Sequence, residues 1–212
     1  MADSIDRSKQ GNEDTAYRSE MRQARIRARE ALPADRHAQL SASVLEHLRV
    51  LLAQCQAARL GFYWPIRSEI DCRPLVARLI KQGWSACLPH IVDRSAAMTF
   101  RDWTPATAMI NGEHGIPTVS DEASPQTVAV PDVLLLPVNA FDGQGFRLGY
   151  GGGYYDRTLA ALPRRPWVVG VGFDLARVDS IRPHSQDHPL DAVVTESGVE
   201  RFSHAPPLCR EV

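Results

Sequence analysis

The sequence is poor in the features that mark secreted, membrane-spanning and zinc-binding proteins. It holds only four cysteines in 212 residues, widely separated and with no C-x-x-C pair, which argues against a disulfide framework or a structural zinc site. No apolar run approaches the roughly eighteen residues that a membrane helix needs. The polar residues 1–14 lack the apolar stretch of a secretory signal. We therefore expect a cytoplasmic protein with reduced thiols and no membrane partner.

Charge of one sign is also missing. Lys and Arg total 24 and Asp and Glu total 25, giving a net charge of −1, so no overall field favours nucleic acid. With 44% hydrophobic residues, the length fits one core. We predict a monomer whose partner is a small-molecule substrate, with one domain over 15–200, a disordered tail over 1–14 and a C-terminal tail over 201–212.

Established catalytic motifs are absent as well. The chain has no G-x-x-x-x-G-K-[ST], G-x-G-x-x-G or G-x-S-x-G segment and no reactive-cysteine signature. A reaction that proceeds through an enzyme-bound nucleophile is therefore not indicated.

The most informative segment is a glycine cluster, Gly149 and Gly151–Gly153, which follows Arg147. Glycine permits positive φ, so successive N–H groups can turn toward an anion. A helix predicted over Tyr154–Leu162 would point its positive end at the same anion. Arg147 adds a planar cation, and Asp156 adds a carboxylate suited to a hard metal ion. These parts fit a nucleotide triphosphate with magnesium, and a plain flexible turn is the alternative.

The rest of the chain alternates between strand-like and helical patterns. Helices are predicted over Ala16–Leu32, Ala34–Gln54 and Cys72–Gln82, and strands over Arg59–Trp64, Trp84–Leu88, Met98–Trp103, Val133–Leu136, Trp167–Gly172 and Ala192–Thr195. This alternation predicts a single three-layer α/β domain with a largely parallel central sheet, preceded by an arginine-rich N-terminal helix. The Pro-, Ser- and Asp-rich stretch 110–131 is expected to be irregular.

In the first of these helices, four arginines share one face. Arg18, Arg22, Arg25 and Arg29 follow i, i+4, i+7, i+11 spacing. The common meaning of such a pattern is a solvated face, which we favour for Arg25, Arg27 and Arg29.

The segment Leu136–Asp142 (LPVNAFD), then Gly145, then Arg147–Arg157 (RLGYGGGYYDR) closely resembles the signature of the 5-formyltetrahydrofolate cyclo-ligase family. The likeness implies ATP- and magnesium-dependent cyclisation of 5-formyltetrahydrofolate. It also implies roles for individual residues. Those implied to bind ATP are Arg18, Arg22, Arg147, Leu148, Gly149, Tyr150, Gly151, Gly152, Gly153, Tyr154 and Tyr155. Of these, Arg147, Tyr154 and Tyr155 are also implied to be catalytic, Trp64 and Glu69 to bind the folate, and Asp156 to bind Mg²⁺.

Several residues have more than one interpretation from the sequence. His114 stands where the family often has an aromatic residue, Met98 and Phe100 fit either the core or the folate site, and Asp187 resembles part of the family's closing segment. Another small-molecule ATP-dependent ligase or phosphate-binding enzyme on a related α/β scaffold is the alternative function. It would keep the glycine loop without needing Glu69.

Overall fold

In the computed structural model, residues 2–56, 58–120, 122–124 and 130–208 are described, with side chains from residue 11 onward. These residues form four α-helices: α1 Ala2–Glu30, α2 Ala34–Leu52, α3 Arg73–Lys81 and α4 Tyr154–Ala161. They also form eleven strands: β1 Arg59–Gly61, β2 Ser85–His90, β3 Thr99–Asp102, β4 Met109–Asn111, β5 Pro117–Val119, β6 Val133–Pro137, β7 Ala140–Phe141, β8 Arg147–Leu148, β9 Trp167–Val171, β10 Ala192–Thr195 and β11 Gly198–Arg201.

Seven strands make the central sheet, in the order β11-β10-β9-β6-β1-β2-β3. The inner pairs are parallel, and β3 and β11 close the two edges as antiparallel strands. The β4–β5 and β7–β8 pairs are separate two-stranded hairpins. The predicted fold, an α/β domain with a largely parallel sheet, is confirmed.

Both faces of the sheet are covered, because side chains alternate along each inner strand. On β6, Val133 and Leu135 pack with α2 and α3, whereas Leu134 and Leu136 pack on the opposite face with Leu159 of α4. Strands buried on both faces are uniformly apolar, as β6 and β9 are. The result is the expected three-layer architecture.

The connections leave the sheet in two directions from its centre. From β1 the chain crosses through α3 to β2 on one side, and from β6 it crosses through α4 to β9 on the other. Neighbouring β1 and β6 therefore mark the point where the strand order reverses. In α/β sheets a crevice opens beside the carboxyl ends of such a strand pair.

The N-terminal region differs from its prediction. Helix α1 begins at Ala2, so residues 2–14, predicted as a disordered tail, continue the arginine-rich helix. That stretch contains no proline and is rich in residues that tolerate helix, and Gly11 is its one weak position. The predicted 201–212 tail also begins differently, since β11 ends at Arg201 and Phe202 is buried. Residues 209–212 lie outside the described part.

Stretch 110–131 is more ordered than predicted. It contributes to the β4–β5 hairpin, with a short 3-10 helix at Glu113–Gly115. The strands are only three residues each, too short for alternation to show in the sequence. Residues 121 and 125–129 are outside the described ranges.

Two of the cysteines, Cys72 and Cys87, provide packing rather than reactivity. Cys72 and Cys87 are fully buried, and burial raises the pKa of each thiol to about 12. Both thiols therefore stay protonated near neutral pH and are poor nucleophiles.

A buried carboxylate ties two inner strands together. Asp191 is fully buried, accepts a 2.6 Å hydrogen bond from the Val168 N–H, and accepts two bonds of 2.7 Å from Nη1 of Arg165. Asp191→Ala should lower the free energy of unfolding by about 1–3 kcal/mol, because a buried N–H loses its partner. Urea denaturation measures this. Glu46→Ala, which removes the exposed Glu46–Arg49 pair, is the control and should change stability little. Equal effects of the two substitutions would contradict this assignment.

Candidate active site

A cleft of about 1510 Å³ opens at the reversal point between β1 and β6. This volume exceeds that of a typical single-ligand pocket and leaves room for two molecules. Its lining includes every site residue predicted from the sequence: Arg18, Arg22, Trp64, Glu69, Arg147, Leu148, Gly149, Tyr150, Gly151, Gly152, Gly153, Tyr154, Tyr155 and Asp156.

The glycine loop connects β8 to α4 and forms one wall. Gly151 and Gly153 have φ angles of 96° and 65°, and residues other than glycine rarely adopt such angles. Gly153 is the N-cap of α4, and no side chain caps that helix end. The first N–H groups of α4 are thus available for an anion in the cleft.

Arg147 and Asp156 face each other beside this loop. Arg147 is buried, and its guanidinium donates to the His188 carbonyl at 2.6 Å and to Oδ1 of Asp156 at 3.1 Å. The same Oδ1 accepts the His188 N–H at 3.2 Å. The Asp156 side chain keeps 27% of its surface exposed, so a cation in the cleft could still reach it.

Helix α1 lies along the cleft and extends arginines into it. Nε of Arg22 donates to the Gly149 carbonyl at 2.7 Å. Arg18 makes two bonds to the Asp187 carboxylate, at 2.6 and 2.9 Å. Partial burial, together with the nearby positive charge of Arg18, lowers the pKa of Arg22. The cleft therefore concentrates positive charge near the glycine loop.

Asp187 is the main counter-charge to Arg18. Burial acts to raise its pKa, but hydrogen bonds from Arg18 and from the His184 backbone N–H outweigh burial, and the pKa of Asp187 is lowered. The carboxylate is thus held ionised next to the arginine. It belongs to the same cavity wall as His184 and His188.

Glu69 lies in the cleft on the loop after β1, and it is also buried. Its Oε1 accepts the Tyr150 hydroxyl at 2.8 Å and its Oε2 accepts the Ile66 N–H at 2.9 Å. Burial raises the pKa of Glu69, and these two hydrogen bonds and the charge of Arg29 oppose the rise. A carboxylate has about four acceptor positions, and the structure shows hydrogen-bond donors at two of them.

The prediction that Arg29 lies on a solvated helix face is wrong. Arg29 is only 5% exposed and bonds to Asn139 and Tyr150. Arg25 is also engaged, donating to the Leu175 carbonyl at 3.0 Å, whereas Arg27 is exposed as expected. The i, i+4, i+7, i+11 spacing was the available signal, because it puts all four arginines on the face that meets the domain.

Aromatic side chains line the remaining walls. The Arg73 guanidinium lies 4.3 Å from the centre of the Trp64 ring. The Tyr154 hydroxyl lies 3.2 Å from Nε2 of His114, which brings the β4–β5 hairpin over the start of α4. Burial raises the pKa of Tyr155. Met98 borders the cavity, whereas Phe100 packs in the core on the α4 side of the sheet.

The described residues hold no group of three or more His, Cys, Asp and Glu side chains placed to bind a metal. They also contain no helix long and apolar enough to cross a membrane.

A mostly parallel α/β sheet with its cleft at the reversal point defines a ligand-binding α/β protein. A sequence model of the 5-formyltetrahydrofolate cyclo-ligase family matches residues 12–196. The chain therefore belongs to that enzyme family, which confirms the resemblance seen in the sequence.

Individual relatives agree with this assignment. The 5-formyltetrahydrofolate cyclo-ligase of Haemophilus influenzae is 30% identical over 184 residues, covering 84% of this chain and 96% of the relative. That of Escherichia coli K12 is 32% identical over 164 residues, covering 76% and 88%. An NMR structure of Aquifex aeolicus 5,10-methenyltetrahydrofolate synthetase matches with a TM-score of 0.76 at 28% identity, covering 90% and 95%. The structure of a 5,10-methenyltetrahydrofolate synthetase from Mycoplasma pneumoniae shares the fold, with a TM-score of 0.70 at 21% identity. The match covers 84% of this chain and 98% of that structure.

The backbone of the loop gives a direct test of its conformation. Gly151→Ala should lower the free energy of unfolding by about 1–2 kcal/mol, because alanine is strained at positive φ. The new Cβ would also lie 3.4 Å from Cζ of Arg22. Gly149→Ala is the matched control, since a Cβ there meets open space. Chemical denaturation of both variants measures the difference, and equal midpoints would contradict the loop geometry described.

Proposed function

We propose that the protein converts 5-formyltetrahydrofolate to 5,10-methenyltetrahydrofolate with ATP and Mg²⁺, releasing ADP and phosphate. The observation that carries the proposal is the single cleft in which the glycine loop, the arginines of α1 and Glu69 meet. Family membership supports the folate substrate, and the charge distribution of the cleft supports the nucleotide. An alternative ligase on the same scaffold would use the loop but would leave Glu69 without a ligand.

The chemistry follows from the substrate. The formyl group on N5 is amide-like, so its oxygen is a poor leaving group. Transfer of the γ-phosphoryl group of ATP to that oxygen gives ADP and an iminium phosphate. N10 of the folate then attacks the formyl carbon, the C–O bond to phosphate breaks, and the N10 proton is released as the ring closes. Such a reaction requires positioning and charge neutralisation rather than a nucleophilic side chain.

The nucleotide half of the proposal rests on the arginines and the loop. Backbone N–H groups of the loop and of the first turn of α4 would hold phosphate oxygens, with Arg22 and Arg147 beside them. In the structure, the carboxylates of Asp187 and Asp156 bind Arg18 and Arg147, respectively. Phosphate oxygens would take over those guanidinium groups when ATP enters. Tyr154 and Tyr155, at the start of α4, would border the transferred group.

The donor set also fits magnesium. Mg²⁺ is usually held by one or two carboxylates together with phosphate oxygens and water, and Asp156 supplies a carboxylate within reach of the loop. When bound, the ion would neutralise charge on the phosphates during transfer. Binding of Asp156 to the ion would also release Nη2 of Arg147, which donates to Oδ1 of Asp156 in the structure.

The folate half rests on Glu69 and Trp64. The open acceptor positions of Glu69 suit the N–H-rich edge of a pterin, and Trp64 offers an apolar wall next to it. A cytoplasmic, monomeric enzyme remains a prediction from the sequence. The direct test is incubation with 5-formyltetrahydrofolate and Mg-ATP while following the near-ultraviolet absorbance of the methenyl product. No product, with both ligands present at high concentration, would reject the proposal.

The two halves of the cleft can be separated by substitution. Glu69→Gln should weaken folate binding about tenfold to a hundredfold, because a charge-assisted hydrogen bond is lost at a buried site. Its ATP affinity should stay near that of the parent. Arg22→Ala should show the reverse pattern. Calorimetric titration of each ligand into both variants measures this, and equal losses for both ligands in both variants would argue against two separate half-sites.

Substitution of Asp156 should change the magnesium requirement of the reaction. Asp156→Asn keeps the shape of the side chain but removes the charge that would hold the ion. The variant should need a higher Mg²⁺ concentration for half-maximal activity at saturating ATP. Glu200→Gln, which changes an exposed carboxylate paired with Arg177 outside the cleft, is the control. An unchanged magnesium requirement in Asp156→Asn would remove that residue from the metal site.

A further inference from the structure

Three side chains from distant parts of the chain form one polar cluster: Arg29 of α1 and Glu69 after β1, which are buried, and Tyr150 of the glycine loop, which is 40% exposed. Nη2 of Arg29 donates to the Tyr150 hydroxyl at 3.1 Å, and that hydroxyl donates to Oε1 of Glu69 at 2.8 Å. Nη2 also lies 3.9 Å from the same Oε1. The side chains of Arg29 and Glu69 are only 6% and 3% exposed.

Arg29 is fixed by further contacts. Its Nε donates to the Arg67 carbonyl at 3.0 Å, and Nη1 donates to Oδ1 of Asn139 at 3.0 Å. Every nitrogen of the guanidinium thus has a partner. Because the planar fork is bound on all sides, it holds Tyr150 and Glu69 in one geometry.

Tyr150 connects this cluster to the loop that would carry the phosphates. It lies between Gly149, whose carbonyl binds Arg22, and Gly151, with a φ of 96°. Any ligand that orders the backbone of this loop also orders the Tyr150 hydroxyl. The hydroxyl in turn donates to Oε1 of Glu69, which lines the same cleft.

We propose that Arg29 and Tyr150 are positioning residues that hold Glu69 for the folate and that couple folate binding to the nucleotide-bound loop. This inference rests on the proposed function. The coupling is positive, because a nucleotide that fixes the loop removes conformational freedom of Tyr150 and Glu69. The folate then binds without the entropic cost of ordering those side chains. Since coupling is reciprocal, the folate strengthens nucleotide binding by the same factor.

The experiment is calorimetric titration of 5-formyltetrahydrofolate into the full chain, with and without a Mg-ATP analogue that cannot transfer phosphate. In the parent, the analogue should tighten folate binding about fivefold or more. In Tyr150→Phe this factor should fall toward one. Tyr17→Phe is the matched control, because it removes a tyrosine hydroxyl of α1 that donates to the Ser180 carbonyl, and it should keep the parent's factor.

A ligand-free measurement tests the positioning itself. The groups facing Glu69 are Arg29, Arg67, Tyr63, Cys72, Tyr150 and Tyr155. Carboxyl ¹³C NMR of Glu69 should show a higher pKa in Arg29→Gln and in Tyr150→Phe than in the parent, because each removes a contact that favours the ionised form. Folate binding, which needs the carboxylate, should then be lost at a higher pH on acidification. Arg67→Gln, at an exposed side chain bonded to Glu30, is the control and should shift the pKa less.

The outcomes separate the two proposals. A parent that binds both ligands without coupling, or a Tyr150→Phe variant with the parent's coupling factor, overturns this inference and leaves the proposed function standing. An unchanged Glu69 pKa in both variants overturns it as well. A parent that binds no folate overturns the proposed function, and this inference with it. If Arg29→Gln fails to fold, Tyr150→Phe alone decides.

Discussion

Strands β1 and β6 are far apart in the sequence but pair side by side in the central sheet. Their pairing fixes the position of the cleft and of the loops that line it. The register pairs Leu60 with Val133 and Gly61 with Leu134. A Cβ on Gly61 would lie 2.7 Å from Leu134 Cδ1, so the approach of the strands depends on that glycine. The loop with Glu69 follows one strand, and the glycine loop follows the other by way of a hairpin. Their meeting is a consequence of strand order rather than of sequence proximity.

Charge in the cleft is balanced internally. Arginines that would face an anionic ligand are held by carboxylates, Arg18 by Asp187 and Arg147 by Asp156. This keeps the guanidinium groups in place without leaving buried cations unpaired, which would be costly. Entry of the proposed anionic ligand would then exchange one anion for another on preformed cations.

The sequence predicted most of the sheet and the residues of the cleft for a simple reason. Long apolar strands such as β6 and β9 are buried on both faces, and a glycine cluster before a helix is unusual enough to stand out. It did not reveal the β4–β5 hairpin, since three-residue strands carry no period. Nor did it reveal the burial of Arg29, because spacing alone does not say whether an arginine face meets water or protein. That depends on where α1 docks, which is a tertiary property.

Helix α1 has one fully buried apolar side chain among those described, Ile26, with Met21 partly buried beside it. Its other described ties to the domain are polar, and most are guanidinium bonds to carbonyls and carboxylates. An element held in this way opens at a lower free energy than the sheet, whose strands are buried on both faces. We therefore expect the helix to undergo hydrogen exchange as a separate cooperative unit, whose opening would remove one wall of the cleft while the sheet stays folded.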